Sequence, residues 1–128
     1  MVAFGGAIGA VSRYAMGRGV SSVLHGHALA LPVATLSVNV LGCLGIGMLL
    51  PWLLLREGDG AGSHLRLLVV VGVLGSLTTY STFGYETISL WREGRTVAAM
   101  GTVVLHLALG LGAVALGVWV GQRWLTPS

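Results

Sequence analysis

The sequence predicts an all-α membrane protein with four transmembrane helices, and two observations support that fold class. The 128 residues are 55% hydrophobic and only 9% charged, which leaves too few polar side chains to cover a water-soluble globule. Long uncharged stretches, each near the ~20 residues that cross a bilayer, alternate with short polar connections. We therefore expect one multi-pass domain in the cell membrane.

The elements follow from the apolar runs taken in order. Arg13 interrupts the first run, which we interpret as a retained span, while Pro32 suits the N-terminus of the second helix. The third run is uncharged from Leu67 to Tyr85, and the fourth holds His106 as its ionisable group. The four spans are predicted at residues 1–23, 32–55, 67–91 and 96–122.

All basic side chains are arginines, and they are divided evenly between the two sides of the membrane. If the N-terminus is inside, that side holds Arg56, Arg66 and Arg123, and the other side holds Arg18, Arg92 and Arg95. Orientation normally follows an excess of basic residues on one side. The balance leaves two possibilities open: one orientation fixed by other features, or insertion both ways with assembly about an in-plane twofold axis. Arginines scattered in this way also argue against nucleic-acid binding.

Two composition features concern packing and chemistry. Glycines lie four residues apart at Gly5 and Gly9 and at Gly117 and Gly121, a pattern of close helix contacts either within one chain or between chains. Cys43 is the only cysteine, so an internal disulfide and a CxxC metal or redox site are excluded.

The middle of the third span is unusually polar for membrane depth. Seven of the eleven residues from Gly75 to Tyr85 carry a hydroxyl. Such groups are unfavourable in lipid unless protein, water or an ion satisfies them. Two readings remain open here: a helix broken near 75–79 with freed carbonyls, or a continuous helix whose threonines bond to carbonyls one turn back.

Several individual side chains have both a functional and a structural interpretation. Asn39, on one helix face with Thr35, can donate to an anion or join helices. Tyr80 and Phe83 share a face and can present ring edges to an anion or simply pack. Glu86 can relay protons, gate a path or pair with an arginine. For His106, a hydrogen bond across helices is the simplest role.

These residues together resemble the Fluc (CrcB-type) fluoride channels over essentially the whole chain. The matching motifs are Gly5-Gly6-x-x-Gly9-Ala10-x-x-Arg13-Tyr14, Thr35-x-x-Val38-Asn39-x-x-Gly42-Cys43 and Gly75-x-x-Thr78-Thr79-Tyr80-Ser81-Thr82-Phe83-x-x-Glu86. The resemblance implies a fluoride-specific channel in the cell membrane that exports fluoride passively. It also implies an antiparallel, dual-topology homodimer with two pores and a third helix broken at mid-membrane.

The resemblance further implies a structural sodium ion at the dimer centre, held by the backbone carbonyls of Gly75 and Thr78. Asn39 would donate to fluoride, and Phe83 would present its ring edge to it. The expected fluoride pathway comprises Asn39, Tyr80, Phe83, Ser81, Thr82, Thr35, Thr102, His106, Arg13 and Glu86.

Three positions depart from the family pattern, and other function classes remain for comparison. Tyr80 stands where a phenylalanine is usual, His106 where a serine is common, and Thr102 where a tyrosine often sits. A small four-span drug or cation exporter would need a carboxylate in its first span, and this one has none. A non-transporting assembly subunit would not explain the hydroxyl-rich third span. An enzyme is disfavoured, since no nucleophile–base pair or metal set is evident.

Overall fold

The computed structural model describes residues 1–27, 29–56 and 60–125, which form helices joined by short connections and contain no β-strand. The prediction of an all-α protein is confirmed. In chain order the elements are α1 (Val2–Val23), α2 (Ala30–Leu54), α3 (Gly60–Arg66), a π-helical segment (Leu67–Leu74), α4 (Gly75–Leu77), α5 (Tyr80–Arg92) and α6 (Thr96–Trp124).

Three stretches are long and apolar enough to cross a membrane: Ala30–Leu54, Gly60–Arg92 and Thr96–Trp124. The 25 residues of α2 span about 37 Å at ~1.5 Å per residue, which exceeds the ~30 Å of a hydrocarbon core. The 22-residue α1 contains Arg13 and Arg18 and is not among the three. The protein is therefore a multi-pass helical membrane protein.

The third stretch is a composite rather than one regular helix. Its helix stops after Leu77, because Thr78 (φ −75°, ψ 149°) and Thr79 (φ −145°, ψ 110°) are extended. Helix α5 then starts at Tyr80. We call Thr78–Thr79 the break. The continuous-helix reading of this span is therefore wrong.

Two features of this stretch differ from the sequence prediction, in which a polar connection precedes a third span that begins at residue 67. Residues 60–66 are helical although a loop was expected there, since no proline separates them from the apolar run that they join. The eight residues Leu67–Leu74 are π-helical. Wide turns of this kind are rare and have no periodicity signal of their own.

Glycines bring α1 against the third stretch. A Cβ on Gly5 would collide with the Leu68 carbonyl, and one on Gly9 with the Val73 carbonyl. Since both numbers rise together, α1 and the π-helical segment run in the same direction. These glycines therefore serve packing within the chain.

Helices α2 and α6 pack in the same way. A Cβ on Gly47 would meet the Val114 carbonyl, and Cβ atoms on Gly117 and Gly121 would meet the carbonyls of Leu44 and Met48. Leu44 and Met48 of α2 meet Gly117 and Gly121 of α6 in rising order, so α2 and α6 are parallel. Consecutive membrane spans alternate in direction, so two spans separated by one other span must run in the same direction, as α2 and α6 do.

Candidate functional site

Asn39 of α2 holds the break through both polar atoms of its side chain. Its Oδ1 accepts a hydrogen bond from the Thr79 N–H at 2.8 Å, and its Nδ2 donates to the Thr79 carbonyl at 3.2 Å. One amide therefore satisfies both the N–H and the carbonyl of an extended residue that is only 8% exposed. A primary amide has two N–H donors, so the second one is not needed for this clamp.

The clamp takes away the N–H group that would donate to the Gly75 carbonyl in a continuous helix. In a continuous helix that donor is the Thr79 N–H, which here is directed to Asn39 Oδ1. The Thr78 carbonyl loses its donor in a similar way, because the Thr82 N–H points to Thr79 Oγ1 at 3.4 Å. The carbonyls of Gly75 and Thr78, for which the resemblance implies metal ligands, are therefore among those that the break frees.

A glycine of α2 gives the break the space it needs. A Cβ on Gly42 would collide with Cγ2 of Thr78. The Thr78 hydroxyl donates to the Leu74 carbonyl at 3.1 Å, which fixes the side chain in that direction. Asn39 and Gly42, three residues apart on α2, thus position Thr79 and Thr78 respectively.

The first cavity beside the break, which we call the aromatic cavity, has a volume of about 350 Å³. Its wall includes Asn39, Thr79, Tyr80, Phe83 and His106. The ring centroids of Tyr80 and Phe83 are 5.6 Å apart at 57°, and those of Phe83 and His106 are 4.3 Å apart at 36°. Tyr80 is 84% exposed in the isolated chain, so this wall opens outward.

The second cavity, which we call the vestibule, is larger at about 670 Å³ and collects basic side chains. Arg13, Arg18 and His25 line it, together with Glu86. The Thr35 hydroxyl donates to Glu86 Oε1 at 2.7 Å, while Glu86 Oε2 is buried without a hydrogen-bond partner among the described residues. The sequence left open an arginine as the partner of Glu86. Among the described hydrogen bonds, the partner of Glu86 is Thr35 instead.

Thr79 lines both cavities, so the break stands between the aromatic cavity and the vestibule. Its hydroxyl lies 3.0 Å from that of Thr82 and 3.4 Å from that of Ser81. A short ladder of hydroxyls therefore begins at the wall that the cavities share. Hydroxyls that can rotate supply donors to an anion without carrying charge.

The expected pathway residues therefore divide into groups. Asn39, Tyr80, Phe83 and His106 line the aromatic cavity, whereas Arg13, Thr35, Thr82 and Glu86 line the vestibule. Ser81 is exposed next to Thr79. Thr102 lines neither cavity; it borders a third space of about 150 Å³ between α2 and α6.

The sequence reasoning passed over Thr79 and Gly42 as individual site residues. Thr79 was one hydroxyl in a run of seven, and nothing in the run marks which member bonds to α2. Gly42 was one of 21 glycines. The offset of three between Asn39 and Gly42 was visible, but its meaning depends on which residues of the third stretch lie opposite.

Comparison with known proteins gives one consistent result. The family model described as "CrcB-like protein, Camphor Resistance (CrcB)" matches residues 1–118. A protein of Paracoccus denitrificans is 39% identical over 94% of this chain and 91% of its own length. One of Chloroflexus aurantiacus is 42% identical over 96% and 93%, and one of Dehalococcoides mccartyi is 37% identical over 95% and 90%. All three are named "Fluoride-specific ion channel FluC".

Proposed function

This chain belongs to the CrcB-like protein family, and we propose that it is a fluoride channel, not an enzyme, that exports fluoride passively across the cell membrane. The observation that carries the proposal is the break at Thr78–Thr79, clamped by Asn39 and bordered by a cavity on each side. A broken helix that lines cavities is the form in which irregular backbone is tolerated at membrane depth. Relatives named as fluoride-specific channels supply the identity of the ion.

The proposed route runs from the vestibule, past the break, to the aromatic cavity. Fluoride is small and strongly hydrated, so a narrow path must replace its water with hydrogen-bond donors. Arg13 and Arg18 attract the anion into the vestibule. The hydroxyls of Thr82 and Thr79 and the second N–H of Asn39 then offer donors in sequence. The positive ring edges of Phe83 and Tyr80 complete the path.

Four membrane spans are part of the proposal, with α1 as the first. Gly5 and Gly9 place α1 directly against residues 68–73 of the third stretch, which is itself apolar enough to lie in the membrane. A helix packed in parallel along a membrane span lies at the same depth. Arg18 lies over the ring of Tyr14, 5.9 Å from its centroid, as expected near a membrane boundary.

A dual-topology homodimer is also proposed. Parallel α2 and α6 place Arg56 and Arg123 on one side of the membrane, each over a tryptophan one turn earlier, Trp52 and Trp119. The three-to-three arginine balance then removes the usual bias of insertion. An opposed second copy would cover the exposed side of the aromatic cavity, where Tyr80 is 84% exposed. Two copies related by a twofold axis give two equivalent pores.

A sodium ion at the dimer centre would suit the freed carbonyls. The donor set offered by Gly75 and Thr78 is neutral oxygen, which hard cations prefer. Two copies would provide four such oxygens. When bound, the cation would supply a fixed positive charge that offsets the cost of an anion in a low-dielectric region. The chain's own part is to hold the carbonyls free, through Asn39 and Thr79 Oγ1.

Fluoride release from liposomes tests the function. Purified protein in vesicles loaded with potassium fluoride should release fluoride when a potassium ionophore is added, because passive export of an anion needs a compensating charge. Vesicles loaded with potassium chloride are the control and should retain their chloride. Fluoride release that needs no ionophore but a proton or cation gradient would favour an exporter, and no release would refute the proposal.

A further inference from the structure

His106 is held on the wall of the aromatic cavity by one ring nitrogen. Its Nδ1 lies 2.9 Å from the Thr102 carbonyl on the preceding turn of α6. A carbonyl can only accept a hydrogen bond, so Nδ1 carries a proton in the neutral ring as well as in the charged one. The Thr102 hydroxyl is directed to the Ala98 carbonyl at 2.9 Å and does not compete. Any second proton must therefore go to Nε2.

The other ring nitrogen, Nε2, takes no part in the hydrogen bonds that hold the ring. Nε2 of His106 is buried and has no hydrogen-bond partner within the described part of the chain. Buried polar atoms are normally paired, so an unpaired one calls for an explanation. In the neutral ring Nε2 presents a lone pair, which repels an anion. In the charged ring it presents an N–H donor and a positive charge, which attract one.

Phe83 packs against the ring of His106. Its centroid lies 4.3 Å from that of His106 at an interplanar angle of 36°, so the imidazole faces the aromatic ring. A cation over such a face is stabilised by the ring quadrupole. Asn39, with its second N–H, lines the same cavity. An anion in this cavity can thus accept a hydrogen bond from the Asn39 amide of α2 and be attracted by the positive charge of a protonated His106 on α6.

We infer that His106 and Phe83 form a proton-dependent fluoride subsite on the α6 wall of the aromatic cavity. The inference rests on the fluoride conduction proposed above and adds regulation of the same site. Protonation of Nε2 gives this wall a positive charge that attracts the anion, so fluoride current should rise as the pH falls. A neutral His106 should leave the channel open but less conductive.

Other titratable groups face His106 and must be separated from it. Helix α6 packs on α2 and α5; α2 contributes Cys43, and α5 contributes Tyr80 and Glu86. Between Thr96 and Gln122, α6 carries no other titratable side chain. Substitutions of Glu86 and Cys43 are therefore the necessary controls.

The test is to measure fluoride current through planar bilayers at constant fluoride concentration. The pH is equal on both sides and is varied from about 8.5 to about 5.5, a range chosen because it brackets the titration of an ordinary imidazole. Hydrogen fluoride is uncharged and contributes no current. A positive charge that appears on the wall of a low-dielectric cavity is strong enough to predict a rise of about fivefold or more over this range. His106→Gln, a fixed neutral amide, should conduct with a flat pH profile, and His106→Ser provides a second variant of the same kind. Glu86→Gln and Cys43→Ser should keep the slope.

The outcomes separate this inference from the proposed function. A wild-type current that is present but flat with pH overturns the subsite and leaves fluoride conduction standing. A pH slope that persists in both His106 variants, or that disappears in Glu86→Gln, also overturns it. Absence of fluoride current at every pH, in all the proteins, refutes conduction and the subsite together.

Discussion

Asn39→Leu tests the clamp, because it removes both hydrogen bonds to Thr79 and the remaining N–H at once while keeping similar bulk. Leaving a buried N–H and a buried carbonyl unpaired costs about 1–3 kcal/mol each, or about 2–6 kcal/mol for the pair. The Thr79 N–H recovers part of that by returning to the Gly75 carbonyl, which closes the break. Losing one donor to the anion adds about 1.5–3 kcal/mol. Fluoride efflux should therefore fall by at least about tenfold.

The assay is fluoride efflux from liposomes at matched protein density, with dimer recovery measured by size-exclusion chromatography. Cys43→Ala is the matched control, since Cys43 lines the same cavity one turn along α2 and has no part in the clamp; its efflux should be unchanged. Asn39→Asp keeps the Oδ1 acceptor for the Thr79 N–H but loses the donors and adds charge, so it should fold and conduct poorly. Wild-type efflux from Asn39→Leu would refute both roles assigned to this residue.

Three further predictions concern insertion, packing and the dimer centre. Reporters fused after Trp124 should be found on both sides of the membrane, and uniform placement on one side would exclude dual topology. Gly47→Ala should lower thermal stability in detergent by about 1–3 kcal/mol, because its Cβ meets the Val114 carbonyl; Gly110→Ala, whose Cβ lies 3.8 Å from Cys43 Sγ, is the control and should be nearly neutral. Gly75→Ala has room within one chain, where its nearest neighbour is the Val70 carbonyl at 3.5 Å. It should therefore leave the monomer fold intact but weaken dimers and bound sodium, and unchanged dimers with full sodium occupancy would contradict a role for Gly75 at the twofold axis.

The helical fold could be predicted from the sequence because uncharged runs and short polar connections are strong signals. The polar run at 75–85 also located the irregular part of the third stretch, since glycines and hydroxyls rarely occur together at membrane depth. Propensity could not decide between a broken and a continuous helix there. That choice depends on Asn39, which is 40 residues away from Thr79 in sequence and supplies the bonds that an extended backbone needs.

The sequence predicted which residues belong to the site more successfully than it predicted which of them contact each other. Arg13, Thr35 and Glu86 come from three different helices, and their meeting in the vestibule depends on how those helices pack. The bond between Thr35 and Glu86 had no signal in either segment. The π-helical turns at Leu67–Leu74 likewise pack against the glycines of α1, a contact that the sequence of this segment does not reveal.

The reversal potential of the wild-type current measures the central claim most directly, namely that fluoride passes selectively and passively. With a tenfold fluoride gradient across a planar bilayer and equal chloride on both sides, a fluoride-selective channel should reverse about 59 mV from zero, the value for a single charge. Impermeant anions replace fluoride on the dilute side, and a protein-free bilayer is the control. A potential near zero, or one that follows a chloride gradient instead, would contradict a fluoride-selective channel.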